Sequence, residues 1–133
     1  MILLQCVIMG DPVGKGRPRF SRKTGRTYTP AKTREWEARM ATTARVGWKG
    51  ELGHEGPVEV IVRAYKRKPK AMKRAPEWRT VTPDADNCAK AAIDGLQNAG
   101  CIRNDSVVSR VVAESRWGCD DLGARVEVEV RGL

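Results

Sequence analysis

Long apolar runs are missing from this sequence. The opening MILL is followed by Gln5 and lacks a basic leader, so neither a signal peptide nor a membrane span is expected, and the expected residence is cytoplasmic. Close cysteine pairs are missing as well. Cys6, Cys88, Cys101 and Cys119 are widely scattered and His54 is the only histidine, which argues against a zinc ribbon or a redox pair and predicts reduced, partly buried thiols. No internal repeat or low-complexity tract interrupts the 133 residues, a length that suits one domain with one core, residues 1–133. There is also no glycine-rich phosphate loop of the kind that cradles a nucleotide.

What is present is positive charge. A net charge of +9 gives the chain a field that attracts polyanions, and nucleic acid is the leading expectation. Charge alone does not separate DNA from RNA, or either from an acidic membrane surface. Two segments concentrate it: GKGRPRFSRKTGRTYTP near the front, whose Lys23-Thr24-Gly25 centre reads as the turn of a small hairpin or loop, and KRKPKAMKRAPEWR over residues 66–79, where two prolines predict a mobile loop.

Between these segments the periodicities predict a mixed α/β (α+β) domain: a single mixed sheet of about four strands flanked by two helices. Residues 2–9 read as a buried strand. After Thr29-Pro30, the spacing of Trp36, Met40 and Ala44 predicts a helix capped by Thr29 or Thr33, with Lys32, Arg34, Glu37 and Arg39 facing water. VEVIVRAY alternates as a strand from Val58. A second helix is expected from about Asp86 to Ala99, with Ala89, Ala92, Ile93 and Leu96 inward and Gly100 as its stop. Two final strands, near 107–115 and 124–130, are expected to pair as a hairpin turning at Gly118 to Gly123, where Asp120-Asp121 reads as turn chemistry.

Against this basic background, the stretch TPDADNCAKAAIDGLQNAGCIRNDSVV gathers Asp84, Asp86, Lys90, Asp94 and Asp105. Asp86, Lys90 and Asp94 follow at spacings of four and share one helical face, and a chain turning back after Gly100 would return Asp105 to the same edge. Carboxylates brought together repel unless a cation lies between them, and magnesium or manganese suits such oxygen donors. A metal held there beside Lys90, in a protein that attracts a phosphate polymer, suits phosphodiester hydrolysis. The same spacings also describe surface ion pairs worth about 0.2–0.5 kcal/mol each, and Asp84 or Asp86 also reads as a helix cap.

The motif Pro83-Asp84-x-Asp86-Asn87-x-x-Lys90, with Asp94-x-Leu96, Gly100 and Asp105, resembles the RusA family of Holliday junction resolvases, which is common in phages and prophages. Gly14-Lys15-Gly16-Arg17-Pro18-Arg19-Phe20 and Tyr28-Thr29-Pro30 resemble the amino-terminal signature of its phage branch. The resemblance implies a homodimeric α/β endodeoxyribonuclease of DNA recombination and repair that uses magnesium or manganese and resolves four-way DNA by paired, symmetric nicks. It implies Asp84, Asp86 and Asp105 as metal ligands and Lys90 as the catalytic cation, with Asn87 and Asp94 supporting. Many relatives carry two adjacent aspartates where this chain has Asn104-Asp105, so Asn104 is expected to support Asp105 and not to ligate. Where some members have a basic residue before the first aspartate this chain has Pro83, and Arg79 is the candidate to reach phosphate instead.

Lys15, Arg17, Arg19 and Arg22 of the front segment and Lys66, Arg67, Lys68, Lys70, Lys73 and Arg74 of the second are the expected backbone contacts. Of the four tryptophans, Trp78 is the one expected to meet DNA or a second subunit. Two other readings use the same residues: a branched-DNA-binding protein without catalysis, and a broader structure-selective nuclease.

Overall fold

The computed structural model describes residues 1–16 and 18–133. A four-stranded sheet carries two helices on one face. Strand β1 (Ile2–Met9) is followed by a short ribbon, β2 (Arg19–Phe20) and β3 (Thr27–Tyr28), then helix α1 (Ala31–Gly47) and strand β4 (Val58–Arg67). Helix α2 (Ala85–Asn98), a 3-10 turn (Asp105–Val107) and strands β5 (Val108–Gly118) and β6 (Arg125–Gly132) complete the chain. No helix among the described residues is long and apolar enough to cross a membrane.

The alternation in β4 puts Val58, Val60, Val62 and Ala64 beneath the helices, and Val126, Val128 and Val130 of β6 lie opposite them in register. In β1 a register shift between Ile2 and Leu4 lets the consecutive residues Leu3 and Leu4 both bury. The helices close this layer with Trp36, Met40 and Ala44 from α1 and Ala89, Ala92 and Leu96 from α2. Gly95 lies where they cross: a β-carbon there would stand 2.5 Å from Met40 Cγ, so only glycine allows the approach. Helix α2 ends as its composition predicts, at Gly100 with φ +75° and with the Cys101 amide bonded to the Leu96 carbonyl. The opposite face of the sheet is laced with charge, including Arg110–Glu59 at 2.7 Å, Arg131–Glu129 at 2.6 Å, and the Arg125 guanidinium 3.8 Å above the Tyr65 ring.

Sheet order differs from the expectation at the C-terminal end. The strands run β1-β6-β4-β5, so the last two strands form no hairpin. Helix α2 is a crossover that returns the chain parallel to β4, and β6 then takes the slot between β1 and β4, antiparallel to both. Alternation marks a strand without naming its neighbours. Helix α1 also starts differently: Pro30, whose side chain has no polar atom, is its cap residue, and Thr33 lies inside the first turn with its hydroxyl bonded to Gly14 and Gly16 of the front loop. The basic front segment forms the expected hairpin, with the Ser21 and Arg26 backbones paired across its turn.

Candidate active site

Asp84, Asp86, Asn87 and Lys90 line one cleft of about 440 Å³, walled on the other side by Lys15, Gly16 and Pro18. The α2 start presents both carboxylates: Asp84 is the extended residue before the helix, and Asp86 lies in its first turn, where the helix dipole favours negative charge. The ordinary uses of these side chains are not taken up. Asp84 makes no side-chain cap bond. Among the described residues, neither Asp86–Lys90 nor Lys90–Asp94 is an ion pair; Asp94 pairs instead with Lys15, at 2.8 Å.

Lys15 is where the structure revises a phosphate candidate. Its ammonium lies 2.8 Å from Glu37 on α1 and 2.8 Å from Asp94 on α2, joining the two helices through the front loop. Burial pulls its pKa down, but the Asp94 and Glu37 hydrogen bonds outweigh that and hold it above the usual lysine value. Glu37, expected to face water, is 6% exposed. The sequence did carry a signal for this, since Thr33, Glu37, Met40 and Ala44 recur at helical spacing along the buried stripe. Backbone contacts complete the wall: the Lys15 amide donates to the Asn87 carbonyl at 3.0 Å, and a β-carbon on Gly14 would stand 3.0 Å from that of Pro83.

Arg79 is a second revision. At 4% exposure it faces inward and does not reach for phosphate. Its guanidinium donates to the carbonyls of Arg116 at 2.9 Å, Pro83 at 2.9 Å, Ala64 at 3.4 Å and Val81. Burial draws its pKa down, and neighbouring Cys88 and Asp84 offset part of that. Lys66 bonds the Thr82 carbonyl at 2.8 Å, so both cations clamp the backbone that leads into Asp84. Nothing local in a proline-broken basic loop announces such a clamp.

Asp105 lies elsewhere. Asp84 and Ala85 share a cavity wall with Ala113, Glu114 and Ser115 of β5, whereas Asp105 precedes Val108, the first residue of that strand. Five strand residues cover about 16 Å. The expected return of Asp105 to the same edge therefore does not occur within one chain, because the strand parallel to β4 must begin at the C-terminal end of α2. Among the described residues no group of three potential metal ligands gathers in one chain. Asn104 caps the 3-10 turn that carries Asp105, its Oδ1 accepting from the Ser106 amide at 2.9 Å and from the Ser106 hydroxyl.

The remaining basic candidates are mostly exposed: Arg19 and Arg22 on the ribbon, and Arg67, Lys70, Lys73 and Arg74 around the loop after β4. Lys68 is tied to the Met72 carbonyl. Arg17 lies outside the described residues. Trp78 is exposed, with Arg116 4.2 Å above its ring, while Trp36 and Trp117 are buried. All four cysteines are free, and burial pushes the Cys6 and Cys88 thiols up to about 11, in line with unreactive packing.

The family model described as endodeoxyribonuclease RusA matches residues 9–131. The chain is 27% identical over 143 residues to the Bacillus subtilis (strain 168) uncharacterized protein YqaN, covering 98% of this chain and 97% of the relative. It is also 27% identical over 101 residues to the Aquifex aeolicus (strain VF5) crossover junction endodeoxyribonuclease RusA, covering 75% of this chain and 70% of that protein.

Proposed function

The chain belongs to the RusA endodeoxyribonuclease family, and from that premise we propose that it is a homodimeric, divalent-metal-dependent nuclease that resolves four-way DNA junctions by paired symmetric nicks. The observation that carries this reading is the cleft at the start of α2. There Asp84 and Asp86 stand beside Lys90 with none of the three in an ion pair among the described residues, in a chain of net charge +9.

The donor set fits a hard cation. Asp84 and Asp86 supply carboxylate oxygens on one wall, and magnesium or manganese needs only one or two such ligands besides water and phosphate. Asp105 is the proposed third ligand; because it lies far along β5 from Asp84, this reading takes it from a second copy of the chain. When bound, such an ion supplies Lewis acidity and makes water a better nucleophile at neutral pH. Lys90 holds positive charge at the same cleft, suited to phosphate oxygens as they gain charge. Arg79 and Lys66 fix the backbone that presents Asp84; Lys15, through Asp94 and Glu37, holds the wall and the two helices together. The exposed arginines and lysines track the DNA backbone. A four-way junction has equivalent strands in pairs, which a twofold dimer with two sites matches.

Incubation of a synthetic mobile junction with protein and magnesium is expected to give paired nicks at symmetric positions. Chelation should stop cutting, and Asp86→Asn should abolish it while sparing binding. Cutting that survives chelation, or binding lost together with cutting, overturns the reading. Equal cleavage of four-way, three-way and linear duplex DNA would leave a nuclease without junction selectivity.

A further inference from the structure

The β2–β3 ribbon presents side chains that the fold does not use. Phe20, the only phenylalanine of the chain, is 64% exposed and Tyr28 is 47% exposed, although the domain buries Trp36 and Trp117. From Pro18 to Tyr28 every residue except Ser21 is exposed. The ribbon is nevertheless built: Ser21 pairs with Arg26 at 2.8 Å, the Gly25 amide bonds the Ser21 carbonyl at 2.9 Å, and Gly25 takes φ +68°. Its stem is fixed where a β-carbon on Gly16 would stand 3.0 Å from the Pro30 ring.

Register sets the two rings apart. Arg19 pairs with Tyr28 and Phe20 with Thr27, and paired residues share a face, so Phe20 and Tyr28 project from opposite faces of the ribbon. The charge along the ribbon is of one sign: no acidic residue occurs from Pro12 to Arg34, and Arg19, Arg22, Lys23 and Arg26 lie beside the rings in sequence. Lys15, Gly16 and Pro18, at the foot of the ribbon, line the Asp84–Asp86 cleft.

An aromatic ring held in water beside unopposed cations fits the face of a nucleobase, which stacks on the ring while its phosphates meet the cations. Two rings on opposite faces call for two base faces. A ribbon with side chains on both sides is about 10 Å thick, far more than the roughly 3.4 Å between stacked bases, so it does not enter an intact duplex step. We infer that the β2–β3 ribbon is a stacking wedge, with Phe20 and Tyr28 each covering a terminal base pair exposed where duplex arms meet at a DNA branch point. This inference rests on the junction-cutting reading and adds to it the element that tells a branch from a duplex.

The test is equilibrium binding in chelator, with junction, linear duplex and a junction carrying 2-aminopurine at the branch-point pairs. Wild type is expected to prefer the junction and to change the 2-aminopurine fluorescence. Phe20→Ala with Tyr28→Ala should weaken junction binding about tenfold, leave duplex binding unchanged and abolish the fluorescence change, whereas Phe20→Trp should retain both. Both positions are solvent-exposed, and an unchanged melting temperature verifies the fold. A double variant that keeps the wild-type preference and fluorescence overturns the wedge alone. A shift of the double variant to a smaller species on gel filtration also overturns it, assigning the rings to a protein interface. A wild type with no junction preference removes the junction reading and the wedge with it.

Discussion

The two ends of helix α2 carry acids of the same motif in opposite circumstances. At its start, Asp84 and Asp86 are backed by a clamped loop, with Arg79 and Lys66 bonded to the backbone just ahead of them and a basic wall across the cleft. Past its end, Asp105 stands exposed on a three-residue turn held by Asn104. A helix of 14 residues spans about 21 Å, so residues that look continuous in sequence are dealt to opposite ends of the domain. The contrast teaches that one end is organised by its own chain, while the other is organised to be offered outward.

The sharpest way to break this contrast is complementation. Asp86→Asn and Asp105→Ala are each expected to be inactive alone, yet mixed dimers should regain one intact site and nick a single strand. Co-expression with distinct tags followed by junction cleavage measures this, and failure to regain nicking would remove Asp105 from any shared site. Next in size, Arg79→Met should cost about 3 kcal/mol in denaturant unfolding, because several buried carbonyls lose their donor. The same change removes the charge that holds the Cys88 thiol pKa down, so that thiol should titrate higher still, as thiolate absorbance would read.

Glu37→Gln should cost about 1 kcal/mol near neutral pH by removing one of the two carboxylates on Lys15. The Lys15 pKa is raised in the fold, so this contribution is complete below the ordinary value of 10.5 and is lost as pH rises through the higher folded value. Unfolding curves for the pair are therefore expected to converge in strong alkali. Smallest is the far end: Asn104→Ala should cost about 0.5 kcal/mol as a lost cap on an exposed three-residue turn, whereas Asn104→Asp, which caps equally well, should leave stability unchanged.

Much of the scaffold was legible because it rests on periods. The alternation of Val58, Val60 and Val62, the apolar stripe of α2 and its glycine stop all follow from local geometry, and helical spacing was enough to put Asp86 and Lys90 on one wall. What was not legible depends on partners distant in sequence. The parallel placement of β5 moved Asp105 away and separated the last two strands, and no spacing rule reports which strand a β-strand will join. Arg79 and Lys15 looked like members of a solvated basic surface because charge in sequence does not reveal which carbonyls or carboxylates will surround it. Glu37 is the instructive intermediate, since its place in the buried stripe was readable but its charge argued louder.

The helix crossing at Gly95 has a consequence for how this chain can vary. A β-carbon at 95 would meet both Cβ and Cγ of Met40, at 2.8 and 2.5 Å, so the two positions meet across α1 and α2. Trimming Met40 would remove the Cγ contact but leave its Cβ at 2.8 Å, so an alanine at 95 demands that the two helices move apart. Homologues that keep this crossing should therefore hold glycine at 95 while position 40 varies, a historical record of helix contact written in one column of an alignment.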